Sequence, residues 1–413
     1  MNISPELLRR KKMVILGCGI LMYFLTSMSK VLIPATIFNE LQALGLNARH
    51  ISATGAAFMY AYAASQLLAG IYADRYGGVR ILLIGGSLFT LGTISFPLTG
   101  YFPLMLCCRV LTGFGAGTVF LGVAKLLNDL FSAKFSLALG IILVLGYFGP
   151  TTGTVPMKLL IGLINWKNAM MFPGLLSLAA LLIVVLLMRG TIKPVRAGQT
   201  LAPLFTMIRN FNMWMLCLGV SVIFGIYYGI SSQFGAKSLE DFCKVSPERA
   251  AFIIMILTVI VAVNNLVVNF LLKLCGNRRK VVALLGAWLC AAGCLLAVYA
   301  FRSTPGLPLV VTAYVLIAFP AGFFPLFGTI GKELCPPEHT ALAVAMVNFW
   351  CFVDIAVFQN ITGWVLQHDS IPGETVFPPY AYSNMFFCLL ILALAGCALN
   401  IFYPETRPEN CEK

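Results

Sequence analysis

Gly70-Ile-Tyr-Ala-Asp74-Arg75-Tyr-Gly77-Gly78-Val-Arg80 sets an acid and two bases between two apolar runs, 51–72 and 79–100. Each run is close to the ~20 residues that an α-helix needs to cross hydrocarbon. The glycines permit a tight turn and close approach of neighbouring helices. Asp74 suits the positive end of a helix dipole, and Arg75 and Arg80 suit the headgroup level. The stretch reads as a charged turn joining two membrane-spanning helices.

The same alternation runs outward in both directions. Apolar runs fall near 13–36, 51–72, 79–100, 104–126, 136–160 and 168–188, then near 211–233, 249–272, 281–301, 308–331, 340–365 and 381–403. The longest polar break, 189–210, lies between the sixth and the seventh. The expected fold is all-α integral membrane, with twelve transmembrane helices in two six-helix pseudo-symmetric bundles. Its parts are a cytosolic N-terminus (1–12), an N-terminal bundle (13–188), a cytosolic inter-bundle loop (189–210), a C-terminal bundle (211–403) and a cytosolic tail (404–413). Composition agrees: 60% of the 413 residues are hydrophobic and 10% charged, against about 25% charged in a soluble domain. This excludes a water-soluble enzyme. The continuous apolar runs also exclude a membrane β-barrel, whose strands alternate apolar and polar residues.

A formal charge of +13 is first a topology signal in such a chain. One side collects Arg9–Lys12, Arg75, Arg80, Lys125, Lys134, Arg189, Lys193, Arg196, Arg209, Lys273, Arg278–Lys280, Lys332, Arg407 and Lys413. The other side receives Arg49, Lys158, Lys167, Lys237, Lys244, Arg249 and Arg302, leaving Lys30 and Arg109 inside the membrane. Both termini are therefore expected in the cytosol of a cell membrane (a bacterial inner membrane or its equivalent), with the lipid bilayer and not nucleic acid as the partner of this charge. Most of the 13 cysteines sit in apolar runs with no C-x-x-C pair, as small core residues do. Cys243 is expected in an outer loop. No metal ligand set and no cofactor motif is present, and Gly331-Lys332 lacks the Ser/Thr and upstream glycine of a phosphate loop.

Two further strings carry information. Arg109-Val-Leu-Thr-Gly113-Phe-Gly115-Ala-Gly117 opens the fourth run, and Gly146-Tyr-Phe-Gly149-Pro150-Thr-Thr-Gly153 lies in the fifth. Gly115–Phe120, leading to Lys125, is echoed half a chain later by Pro320–Phe324, leading to Lys332. Repeats of six spans are how many secondary transporters build two bundles. The turn at 70–80 resembles the G-x-x-x-D-R-x-G-x-x-R signature of the major facilitator superfamily, and the fourth run resembles that family's R-x-x-x-G-x-G-x-G motif. The resemblance covers essentially the whole chain. It implies a conformational latch of Gly70, Asp74, Arg75, Gly77 and Arg80. The second-half turn, Gly276-Asn-Arg-Arg-Lys280, keeps the bases and lacks the acid. The fifth-run string is partly similar to the G-P-x-x-G-G motif of drug antiporters, but Thr154 replaces the last glycine, and it reads as a kink with small-residue packing.

Charges inside the membrane are the candidates for a site. An arginine several residues inside a span costs about 2.5–3.5 kcal/mol on translocon scales, so Arg109 is expected to face a polar cavity or partner. Lys30 lies deeper in its run than snorkelling reaches. Asp354 is the one acid assigned to the membrane. Two arrangements stand open: Lys30 pairs with Asp354, or Lys30 and Arg109 bind substrate while Asp354 titrates. Tyr147, Tyr227, Asn264, Asn265 and Asn348 are further candidates for substrate binding.

Tyr23–Pro34, Gln66–Arg80 and the stretch from Arg109 onward resemble the organic anion:cation symporter and organophosphate branches. Gly331–Glu338, Asn348 and Gln359–Trp364 are similar to the branch that holds lysosomal dipeptide transporters. In the anion branches an arginine eight residues before the first-run proline meets the substrate. That position is Thr26 here, and Lys30 lies one turn along the same face. A coupling glutamate of the vesicular anion transporters is replaced by Ala116. The reading is a monomeric secondary transporter, not an enzyme. It would move a small polar, anionic or zwitterionic metabolite (an organic acid, sugar acid or phosphate, or short peptide) by alternating access, with co-transport of H+ or Na+ and facilitated diffusion as the open choices of driving force. The alternatives are a proton-driven multidrug antiporter and a transport-inactive nutrient sensor.

Overall fold

The computed structural model describes residues 5–131, 135–188, 209–303, 306–335 and 340–406; within its helices the side chains of 5, 67–75, 135–137, 140, 147 and 340–342 are left undescribed. Among the described residues, twelve long helical segments follow one another. They are α1 (Pro5–Leu32), α2 (Ala48–Tyr76), α3 (Gly78–Leu98), α4 (Phe102–Phe131), α5 (Phe135–Thr152, resuming as Val155–Ile164) and α6 (Trp166–Leu187), then α7 (Phe211–Cys243), α8 (Pro247–Leu274), α9 (Arg279–Arg302), α10 (Leu307–Glu333), α11 (Thr340–His368) and α12 (Pro379–Phe402). A short helix, Phe38–Ala43, precedes α2. No strand occurs among the described residues. Ten of the segments are long and apolar enough to cross a membrane. The other two are α2, which carries Arg49, His50, Asp74 and Arg75, and α5, which divides at Gly153-Thr154. Outward leucines such as Leu163 (82% exposed) and Leu186 (78%) suit lipid and not water.

Local chemistry sets the ends. Gly77 holds φ 78° between α2 and α3, a conformation that other residues adopt only with strain. Asn210 accepts from the amide of Met213 at the start of α7, and Ser246 accepts from Arg249 ahead of Pro247 at the start of α8, as N-caps do. Among the described residues every cysteine is free.

Two compact units form: Met1–Ile37 with Ala57–Gln199, and Phe38–Ala56 with Thr200–Lys413. Within the first, α1 packs on α4, α5 and α6, and α3 on α4 and α6; within the second, α7 packs on α10, α11 and α12, and α9 on α10 and α12. The second list is the first shifted by six helices. The repeat legible as a faint glycine echo is therefore a repeat of packing.

Glycines make the closest approaches. A Cβ on Gly85 would come within 2.8 Å of the Val119 amide, and one on Gly115 within 2.3 Å of the Phe89 amide, so α3 and α4 touch backbone to backbone. Gly146, Gly149 and Gly153 meet Tyr23, Phe24 and Met28 in the same way, which seats α5 on α1.

The seventh span corrects the sequence reading. That reading ended it near 233 and put Lys237 on the outer face and Cys243 in a loop. The helix continues to Cys243, because Lys237 Nζ pairs with Asp241 Oδ1 one turn on at 2.9 Å, with both side chains buried. Asp241 Oδ2 accepts from the Phe377 amide at 3.0 Å and the Tyr382 hydroxyl at 2.7 Å. A charge neutralised within one turn, with its other oxygen satisfied, no longer ends a buried helix.

Candidate functional site

In the first unit the glycines of α4 bring α2 under Arg109. A Cβ on Gly113 would lie 2.2 Å from the Phe58 carbonyl oxygen, and one on Gly117 1.9 Å from Ser65 Oγ, while Gly115 between them faces α3. Arg109, one turn before Gly113, then reaches the α2 surface. Its guanidinium carbon stands 4.5 Å from the Phe58 ring centroid, its Nη2 donates to the Ile33 carbonyl at 3.4 Å, and it is 1% exposed. Phe58 and Tyr62, four residues apart on one face, stack at 6.1 Å. Lys30 Nζ lies 4.5 Å from the Tyr62 centroid and donates to the Tyr62 hydroxyl at 3.3 Å.

The result is a ladder of Arg109, Phe58, Tyr62 and Lys30, in which two aromatic faces each carry a cation. Gln66, one turn further along α2, donates to the Gly117 carbonyl at 3.4 Å. Thr26 is buried and spends its hydroxyl on the Tyr23 carbonyl at 2.8 Å. Acids are scarce in the first unit: Glu6, Asp74 and Asp129 are the only ones in Met1–Ile37 and Ala57–Gln199, each near the end of its helix, while Glu40 lies on the short helix Phe38–Ala43 of the second unit.

Sequence reasoning singled out Lys30 and Arg109 and missed the aromatic pair between them. The available signal was the i, i+4 spacing of Phe58 and Tyr62, with Ser65 and Gln66 one turn on. The Tyr147 side chain lies outside the described residues. Of the latch, Gly70 and the side chains of Asp74 and Arg75 do as well, whereas Gly77 forms the turn and Arg80 is half-buried in the first turn of α3.

The second unit distributes its polar candidates differently. Asp354 Oδ2 accepts a hydrogen bond from the buried Ser221 hydroxyl, which ties α11 to α7. Tyr227 is buried with its hydroxyl 3.4 Å from Thr258 Oγ1. Asn264 Nδ2 donates to the Phe319 carbonyl at 3.1 Å, beside the break in α10 where Gly322 packs on it. Asn265 Nδ2 donates to Val261 of its own helix at 2.7 Å, and Asn348 is half-buried. Hydrogen bonds between and within helices thus engage Tyr227, Asn264 and Asn265.

The turn between α8 and α9, which lacks an acid in sequence, obtains one from α10: Arg279 pairs with Glu333, both largely buried. The Lys280 amide donates to Glu405 Oε1 at 3.0 Å. Close by, burial and then the Glu405 carboxylate push the Tyr403 phenol above its ordinary pKa, and burial raises the Cys335 thiol. Among the described residues no three His, Cys, Asp or Glu side chains are placed to hold a metal ion.

The sequence model of the Major Facilitator Superfamily matches residues 15–358. Over 107 residues the chain is 29% identical to the "Probable sulfoacetate transporter SauU" of Cupriavidus necator, 26% of this chain and 25% of that protein. Over 172 residues it is 24% identical to the "Ascorbate transporter, chloroplastic" of Arabidopsis thaliana, 40% of this chain and 32% of that one. These matches span only a quarter to a third of the relatives' length. Among solved structures, the nucleoside transporter NupG superposes with a TM-score of 0.74 at 18% identity, covering 94% of this chain and 99% of that one. These relatives are transporters and not enzymes. Twelve helices in two units of repeated packing, together with a sequence match over most of the length, place the chain in the Major Facilitator Superfamily.

Proposed function

We propose that the protein is a secondary transporter of a small organic anion, working by alternating access. The observation that carries this reading is the ladder in the first unit: Lys30 and Arg109 stand over the stacked faces of Phe58 and Tyr62. Holding two cations inside an apolar span is costly. A bound carboxylate, sulfonate or phosphate offsets that cost, and the ladder spaces the two donors along one face to receive it. The names of the matched relatives, a sulfoacetate and an ascorbate transporter, support an acidic substrate. A lipophilic-cation exporter has no use for Lys30 and Arg109 in this position.

The remaining assignments belong to the same proposal. Asp354, hydrogen-bonded to Ser221, is the candidate carrier of a coupled proton. Gly70, Asp74, Arg75, Gly77 and Arg80 act as a latch on the cytosolic side, and Arg279 with Glu333 is its counterpart. Residues 13–188 and 211–403 are the two moving halves, joined by 189–210, in a monomer with both termini in the cytosol of a cell membrane.

The test is uptake into proteoliposomes across a panel of carboxylates, sulfonates and phosphates, with wild type, Lys30→Ala and Arg109→Ala. Each variant is expected to weaken apparent affinity for the best substrate at least about tenfold, as loss of one charge-assisted contact does. Unchanged affinity in both variants overturns the anion site.

A further inference from the structure

Between Gly229 and Gly235, α7 winds as a π-helix over Ile230–Phe234. Such insertions interrupt the regular i→i−4 ladder and recur at functional positions. Here the interruption is polar and enclosed: Ser232, Gln233 and Gln359 of α11 are each 0% exposed. Gln233 Nε2 donates to the Ser52 carbonyl at 3.3 Å, and its Oε1 accepts from Thr362 Oγ1 at 3.1 Å. Gln359 Nε2 donates to Ser232 Oγ at 2.8 Å, and Ser232 in turn donates to the Tyr228 carbonyl at 2.5 Å. The Thr362 hydroxyl also lies within 3.0 Å of the Phe358 and Gln359 carbonyls. All of these residues belong to the second unit.

Matching donors to acceptors leaves oxygen in surplus. The Ser232 proton goes to Tyr228, so Ser232 accepts from Gln359, which fixes the amide nitrogen toward Ser232 and turns Oε1 away. That Oε1 is buried with no hydrogen-bond donor in reach, a state that costs a buried acceptor about 1–3 kcal/mol. No carboxylate and no cationic side chain takes part in these bonds. The change from α to π winding falls at the cluster, and the helix runs on through Gly235–Cys243.

We infer that the cluster of Ser232, Gln233, Gln359 and Thr362 binds a monovalent alkali cation, with Gln359 Oε1 as ligand and neighbouring hydroxyl and carbonyl oxygens completing the shell. A divalent ion is a poor fit, because hard divalent cations are held by carboxylates. An anion is repelled by the oxygen surplus. This assignment rests on the transport reading above and supplies its co-transported ion.

The full-length purified protein, without substrate, is unfolded by heat in sodium, potassium or N-methylglucamine chloride at equal ionic strength. Sodium or potassium, but not N-methylglucamine, is expected to raise Tm by roughly 2–5 °C at saturation. Gln359→Leu and Thr362→Val lose the rise. Gln359→Glu keeps the oxygens and adds a full charge, so it shifts the ion titration to roughly tenfold lower concentration; a merely structural amide gains nothing from that change. Should Gln359→Leu fail to fold, Gln359→Glu and Thr362→Val decide. Equal Tm in all three salts, or a rise that survives Gln359→Leu, overturns the ion site, and equal Tm identifies the cluster as polar packing. The readout needs no substrate. Ion binding without uptake of any anion therefore sinks the transport reading alone, and uptake that ignores the alkali cation, with no Tm response, sinks the ion site alone.

Discussion

Replacing Tyr62 by Phe and by Leu separates the two ways in which Lys30 is held. The hydroxyl accepts from Nζ at 3.3 Å, while the ring centroid lies 4.5 Å from it. The ring holds the ammonium whether or not substrate is present, so its contribution to affinity is pre-ordering. An unrestrained lysine side chain carries about 2 kcal/mol of rotamer entropy, which bounds the loss in Tyr62→Leu at about thirtyfold in Kd. Tyr62→Phe keeps the ring and removes one long hydrogen bond worth at most about 1 kcal/mol, so its loss stays within about fivefold. The assay is equilibrium binding of the best anionic substrate to wild type, both variants, Lys30→Ala and the double variant Tyr62→Leu/Lys30→Ala. Tyr62 is expected to matter only through Lys30, so the double variant binds no worse than Lys30→Ala alone. The reasoning is refuted if Tyr62→Leu binds within twofold of wild type while Lys30→Ala does not, or if the two losses add.

Two further changes probe the frame around the site. Gly113→Ala drives a methyl to 2.2 Å from the Phe58 carbonyl oxygen; it should cost about 1–3 kcal/mol by overpacking and weaken anion binding by moving α2 away from Arg109, whereas Gly17→Ala, which meets nothing within 4 Å, should leave both thermal unfolding and binding unchanged. Asp241→Asn strands the buried Lys237 ammonium and should destabilise by about 3–5 kcal/mol, while the double change Lys237→Met/Asp241→Leu should recover most of that loss in the same thermal-unfolding assay.

The fold was legible because hydrocarbon imposes a length and a polarity that few other constraints rival. The charged turn at Gly70–Arg80 and the break at 189–210 mark span ends by composition alone. Misreading came where a charge is neutralised within the helix. Lys237 read alone is a stop signal, and Lys237 read with Asp241 and Tyr382 is not, but Tyr382 lies more than a hundred residues away in sequence. The site was half legible for a related reason. A lone cation in an apolar run is conspicuous, so Lys30 and Arg109 stood out. Phe58 and Tyr62 are aromatic residues in a membrane protein with 31 phenylalanines and 14 tyrosines, and only the approach of Gly113 and Gly117 to α2 selects them. The acid partner of Arg279 was invisible for the same cause: Glu333 sits at the far end of another helix.

The two units repeat one packing scheme yet carry unlike chemistry, and the difference bears on how a transporter of this kind divides its work. The first unit has three acids, Glu6, Asp74 and Asp129, each near the end of its helix, so positive charge dominates the middle of its spans. The second half places Asp241, Asp354 and an oxygen-rich amide and hydroxyl cluster on its spans, with Lys237 already matched to Asp241. A half that offers positive charge is suited to reading an anion, and a half that offers neutral and acidic oxygen is suited to reading a cation or a proton. Mutations then have a direction to follow. Changes at Lys30, Arg109 or Tyr62 should alter which anion is bound while leaving the response to alkali cation intact, and changes at Gln359 or Thr362 should do the reverse. Had both sets of residues governed the same ligand, the repeat would have no reason to differ so sharply in charge.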